Sequence, residues 1–198
     1  MTLILASQSA GRRALLTQAG IPHQAMAASC DEEVEKAKLK AAGVDARALA
    51  LGLAEAKARS VSLERPSDFI LGCDQTLALD DGVMFDKAPS LAGLAEQLAA
   101  LSGRTHSLFA AMAVVREGAV IWTHVEEARL TMRALSPGFI ADYLDQEGEG
   151  LLSGVGGYRI EGRGIQLFER VEGNHFTIIG LPLLPLLAFL RGAGIAPQ

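Results

Sequence analysis

The run Phe69 to Leu79, FILGCDQTLAL, constrains the fold more than any other part of the chain. It is apolar with poor alternation, so it reads as a strand buried within a sheet rather than one with a wet face. Its single charged residue is Asp74, which closes the most apolar part of the run. A carboxylate in such a place needs a cation or backbone donors, because burying it alone is costly. Carboxylates at the ends of buried strands often serve active sites. A turn aspartate capping a loop is the plainer reading of the same residue.

The segments around this strand alternate between the two kinds of periodicity. Leu3 to Ala6 reads as a short buried strand, followed by a helix capped by Ser9, running to Ala19 and stopping at Gly20. Ile21 to Ala27 is expected as a short strand, and the Ala- and Leu-rich stretch Asp45 to Ser60 as a helix. Asp81-Gly82 signals a hairpin turn with Val83 to Phe85 as its return strand. Ser90 caps a helix in which Leu91, Leu94, Ala95, Leu98 and Leu101 keep helical spacing. Ser107 to Val115 and Ala119 to Met132 form a long hairpin turning at Glu117-Gly118. Further helices are expected after Pro137 and Pro182, with a strand over Gln166 to Val171 between them. Helices mixed with at least one antiparallel hairpin give an α/β fold with a mixed sheet. At 198 residues the chain suits one domain, or two closely joined lobes.

Charge narrows the range of partners. The net charge is −5 and the Lys and Arg residues are scattered, so no basic stripe marks a groove for a nucleic-acid polymer. Any cationic task falls to a few placed residues, which favours a small anionic ligand. The two cysteines, Cys30 and Cys73, lie in no CxxC or Cys/His cluster, so no zinc site is written here. The opening MTLILAS lacks the basic and long apolar regions of a signal peptide. The apolar stretch near Leu181 to Leu190 is short and holds Pro182 and Pro185, so no membrane span is expected. The expected setting is cytoplasmic.

Five places carry chemistry. In Leu5 to Leu16, a strand gives way to a helix start bearing Ser7, Ser9, Gly11, Arg12 and Arg13. Two arginines beside free N–H groups and hydroxyls suit a phosphate cradle. They equally suit a solvated helix face. The sequence GxxxxGK is absent, so this is no Walker A loop. Asp31, Glu32 and Glu33 form an acidic set, and Glu32 with Asp74 would make the minimal carboxylate site that Mg²⁺ or Mn²⁺ uses. The bland alternative is a helix start, where the dipole favours acids. Lys57 and Lys87 are candidate phosphate partners that spacing alone would leave as surface lysines. In Ser102 to His106, Gly103 suits a helix C-terminus, while Arg104 and His106 suit either a cap or a function. The glycines from Gly154 to Gly164 allow close backbone approach to a ligand.

In order along nearly the whole chain, LILASQSAGRRALL, LAEAKA, LGCDQT, DKAPS, LSGRTH, GGYRIEGRG and IIGLPL resemble the Maf family of nucleotide pyrophosphatases. The resemblance implies one Maf-like domain over residues 1–198, an elongated α/β fold like that of the inosine triphosphate pyrophosphatases, and two lobes flanking a nucleotide cleft. It implies metal-dependent hydrolysis of nucleoside triphosphates to monophosphate and pyrophosphate, a divalent cation (Mg²⁺ or Mn²⁺), and often a homodimer. Asp74 matches the family's proton acceptor, and Glu32 its metal-binding acid. Arg12, Arg13, Lys57 and Lys87 match its triphosphate-contacting positions, with Ser7 and Ser9 as loop hydroxyls. Gly11, Gln75 and Glu161 stand at its base-reading positions. Gln75 and Glu161, with the block RRALL, resemble the branch that hydrolyses 7-methyl-GTP. A carboxylate facing a cationic methylated guanine makes electrostatic sense. Gly11 departs from that branch, which carries Trp there, and from the dTTP/UTP branch, which carries Arg. The alternatives are a dTTP/UTP-type enzyme, or a nucleotide-binding regulator of cell division in which catalysis is incidental.

Overall fold

A computed structural model of the chain describes residues 2–196. Its seven strands form one mixed sheet in the order β2-β1-β3-β5-β6-β7, with β4 pairing on β3. The strands are β1 (Leu3–Ala6), β2 (Gln24–Met26), β3 (Phe69–Leu79), β4 (Met84–Phe85), β5 (Thr105–Arg116), β6 (Ala119–Met132) and β7 (Phe168–Glu172). β1 runs parallel to both β2 and β3, whereas β4 and β7 pair antiparallel with β3 and β6. The helices are α1 (Ala10–Gln18), α2 (Glu32–Ala41), α3 (Ala46–Ser62), α4 (Leu91–Leu101), α5 (Pro137–Glu147), α6 (His175–Ile179) and α7 (Leu183–Gly192). The expected α/β class and mixed sheet are therefore present. No helix among the described residues is long and apolar enough to cross a membrane.

The chain divides into two compact units. The first comprises residues 1–75, 109–126 and 174–198, and the second residues 76–108 and 127–173. In the first unit, the parallel pair β1 and β3 is buried on both faces, which is why its sequence runs apolar instead of alternating. On one face Leu3, Leu5, Leu71 and Cys73 pack with Leu15 and Leu16 of α1 and with Leu183, Leu186 and Leu190 of α7. On the other, Ile4, Ala6 and Ile70 meet Ala58 and Val61 of α3. Each fully buried leucine contributes about 2 kcal/mol. α3 presents a row of small residues, and Ala50 and Ala54 lie against Ala111 and Ala113 of β5. Such a row lets the helix backbone come close to the sheet.

Gly72 makes that approach closest. A Cβ at this position would stand 2.0 Å from the Ala54 carbonyl oxygen and 2.8 Å from the Ala58 nitrogen. Only glycine fits between strand and helix here.

Local signals set the helix starts. Ser9, Asp31, Asp45, Ser90 and Ser136 each accept a hydrogen bond from the backbone N–H three residues on. The acidic set at residues 31–33 is thus the start of α2: Asp31 is its N-cap, and Glu32 and Glu33 lie in its first turn. β2 is shorter than the expected Ile21 to Ala27, and β7 begins two residues later than the strand expected from Gln166. α6 has no counterpart in the sequence reading. It spans five residues between Asn174, its N-cap, and Gly180, whose left-handed conformation ends it (φ 101°). That is too short for periodicity to show.

In the second unit, α4 buries Leu94, Leu98 and Leu101, and α5 buries Ile140, Tyr143 and Leu144. The segment Gly148 to Leu167 holds only short 3-10 turns, a consequence of its many glycines.

Candidate active site

Asp74 sits on β3 on the face that α3 covers, two residues beyond Gly72, and is 7% exposed. Because Gly72 draws α3 against the strand, Lys57 lies within reach of it. The Lys57 Nζ donates to Asp74 Oδ1 at 2.5 Å and lies 2.8 Å from Glu32 Oε2. Two carboxylates, one from β3 and one from the first turn of α2, therefore converge on one ammonium group of α3. Burial raises the Asp74 carboxyl above the ordinary aspartate range. The charges of Lys57 and Arg12 oppose that rise, and nearby Glu32 adds to it. Burial also acts against the charged form of Lys57, but the two carboxylates outweigh it and hold the ammonium above its ordinary value. Burial thus makes this aspartate more basic than one in water.

Two carboxylates aimed at one point are the hard-oxygen donor set that Mg²⁺ and Mn²⁺ take, completed by waters and substrate phosphates. Among the described residues no group of three or more His, Cys, Asp or Glu side chains gathers as a metal cage. Glu32 and Asp74 fit the sparser arrangement, in which the substrate supplies the remaining oxygens.

The helix-start residues behave differently from one another. Ser9 caps α1 through its hydroxyl, 3.4 Å from the Arg12 nitrogen, while the Ser7 hydroxyl accepts from the Ser9 nitrogen at 3.2 Å. Arg12 is buried and turned inward. Its Nε donates to Gly180 O at 2.9 Å, and its Nη1 donates to Cys73 O at 2.9 Å and to Ser7 Oγ at 3.3 Å. It ties the end of α6 to the strand residue just before Asp74. Arg13, the next residue, is exposed. Gln75 continues the tie, with its Nε2 donating to the carbonyls of Thr177 and Ile178 at 2.9 and 3.1 Å. Thr177 is fully buried and its hydroxyl donates to Glu126 Oε1 at 2.6 Å. Gly11 is exposed, and a Cβ there would lie 3.2 Å from Ile179 Cγ2. Burial pushes the Cys73 thiol up to about 11. It is therefore a protonated core group rather than a nucleophile.

The first unit thus gathers Ser7, Ser9, Gly11, Arg12, Arg13, Glu32, Lys57, Asp74 and Gln75. Lys87 and Glu161 belong to the second unit, where both are exposed, Lys87 just before buried Ala88. Arg104 is spent on a surface ion pair with Asp81 at 2.6 Å. His106 is fully buried and bonds to Tyr158. Sequence reasoning missed Gly72 and the α6 turn. An isolated glycine inside an apolar strand was the available signal for the first.

A family profile described as "Maf-like protein" matches residues 2–193. A nucleoside triphosphate pyrophosphatase of Sphingopyxis alaskensis is 50% identical over 198 residues, covering 100% of both chains. A 7-methyl-GTP pyrophosphatase of Mesorhizobium japonicum is 53% identical over 97% of this chain and 96% of that one. Among solved structures, a nucleoside-triphosphatase / dITP/XTP pyrophosphatase from Mycobacterium abscessus is 17% identical. It superposes with a TM-score of 0.42, covering 77% of this chain and 97% of its own.

Proposed function

Given that this chain belongs to the Maf-like protein family, we propose that it hydrolyses nucleoside triphosphates to the monophosphate and pyrophosphate, with Asp74 as the base. The observation that carries the reading is the Glu32–Lys57–Asp74 cluster, in which one ammonium holds a buried aspartate and a half-exposed glutamate. Phosphoryl transfer depends chiefly on positioning and on charge stabilisation. The chain supplies both. Asp74, fixed on a strand and made more basic by burial, orients a water and removes its proton as the oxygen attacks phosphorus. Lys57 favours the charged form of Asp74 and keeps the carboxylate in place until substrate arrives.

Glu32 and Asp74 would hold a divalent cation, which supplies positive charge against the triphosphate when bound. Exposed Arg13 offsets the charge that develops on the leaving pyrophosphate. Arg12 assists from behind, keeping Cys73 and Gly180 in register. The N–H groups of the first turn of α1 favour anions at the same place.

The base specificity we propose is for 7-methyl-GTP, within a wider role of clearing modified nucleotides. Its support is the charge of Glu161, which suits a cationic purine, together with the names of several relatives of about half identity. The test is pyrophosphate release from 7-methyl-GTP, GTP, CTP, UTP, dTTP and 5-methyl-UTP with Mg²⁺ or Mn²⁺. Release greatest from 7-methyl-GTP is expected. Release confined to uridine- or thymidine-type substrates would keep the chemistry and discard this specificity. Binding of every nucleotide with no release would point instead to a regulatory nucleotide-binding protein.

A further inference from the structure

The irregular segment from Gly148 to Leu167 contains Glu161 but no long helix or strand to hold it. What holds it is a cluster of rings. His106 on β5 is 0% exposed, and its Nε2 shares a hydrogen bond of 2.7 Å with the Tyr158 hydroxyl. The Tyr158 ring stands edge-on to Phe168 at 4.8 Å between centroids, and His106 lies 6.0 Å from the same ring. One residue earlier, the Gly157 carbonyl accepts from the Tyr143 hydroxyl of α5 at 3.1 Å. Gly157 has a positive φ of 66°, and a Cβ there would stand 2.1 Å from Leu94 Cδ1, so the backbone lies directly on α4. Beyond the cluster, Arg159 Nη2 donates to Gly150 O at 3.0 Å and closes the segment on itself.

We infer that His106 and Tyr158 are positioning residues, a buried tether that sets where the Arg159–Gly164 turn, and with it Glu161, is presented to the substrate. The inference rests on the proposed role of Glu161. A histidine is costly at this depth. Its Nδ1 has no hydrogen-bond partner among the described residues, so the pair is not the least expensive way to fill a core. What the pair provides is a directional bond at one atom of a segment that lacks regular structure. A greasy contact would hold the ring but leave the turn free to slide along it. Burial keeps the imidazole neutral, with its pKa lowered to about 4, so the tether stays neutral throughout the physiological range.

The test uses the full chain with Tyr158→Phe, His106→Leu and His106→Gln, the last keeping a polar group near the Nε2 position. Kinetics are read for the best substrate of the nucleotide panel. In parallel, the rate of trypsin cleavage after Arg159 or Arg163 is followed below the unfolding transition. Tyr158→Phe and His106→Leu are expected to raise KM about tenfold, with kcat within about twofold of wild type. Both should speed cleavage in the turn, and His106→Gln should recover most of each effect. If His106→Leu does not fold, Tyr158→Phe alone decides. Unchanged KM in Tyr158→Phe overturns the inference, whether or not cleavage quickens, because the turn would then be tethered without consequence for substrate. The base-reading role fails separately, through an unaltered substrate preference in Glu161→Gln.

Discussion

The two units hold their candidate residues in opposite ways. In the first, Asp74 and Lys57 stand on regular elements and are buried together, at 10% and 13% side-chain exposure. Their geometry follows from a strand, a helix and one glycine between them. In the second, Lys87 and Glu161 are exposed on a loop and a turn, and the ring cluster around Tyr158 anchors the longer segment. On the function proposed above, the difference separates two tasks. Chemistry on a phosphorus atom needs a fixed base, and rigid elements provide it. Recognition of a base can vary among relatives, and loops change without disturbing a core.

The comparison breaks most easily at Asp74. Asp74→Asn is expected to lower kcat by about 10³-fold while nucleotide binding persists, measured by turnover and by titration calorimetry. Retained turnover would remove Asp74 as the base. Lys57→Met comes next. It strips a buried carboxylate of its partner, so a loss of about 3 kcal/mol in urea unfolding at neutral pH is expected, along with lost turnover. An unfolding midpoint equal to wild type would mean that the cluster is not the fixed centre described above.

The second unit has its own buried liability. His106 has a folded pKa lowered to about 4 from an ordinary 6.5. Between those values the unfolded chain takes up a proton that the folded chain refuses. Its contribution is therefore complete above pH 6.5 and declines as pH falls towards 4, by about 3 kcal/mol in all. Urea unfolding at neutral pH and near pH 5 should show about 2 kcal/mol of this loss in wild type and less of it in His106→Gln. Equal slopes would place the acid sensitivity elsewhere. The smallest effect separates the two lysines. Lys87→Ala should leave stability within about 0.5 kcal/mol of wild type, yet raise KM several-fold. A stability loss like that of Lys57→Met would erase the contrast between the units.

Much of this was legible in the sequence, for identifiable reasons. Residues Phe69 to Cys73 run apolar because α1 and α7 cover one face and α3 the other, so the absence of alternation was itself the signal. The caps at Ser9 and Ser90 and the turn at Asp81-Gly82 are local chemistry and were readable as such. The site was less legible. Asp74 stands out as the one charge in an apolar run and Glu32 pairs with it as a minimal carboxylate set, but spacing alone leaves Lys57 a surface lysine, and only packing across Gly72 brings the three together. Two neighbouring arginines read alike, yet Arg12 turns into the protein and Arg13 faces out. Which one does so depends on where Gly180 lies, and the five-residue helix before it leaves no periodic trace.

The most direct test of the account is to quantify pyrophosphate and orthophosphate released from one good nucleoside triphosphate substrate, by wild type and Asp74→Asn side by side. The account predicts pyrophosphate equimolar with monophosphate from wild type, and neither product above background from the variant. Orthophosphate as the product, or near-normal release by Asp74→Asn, would contradict it.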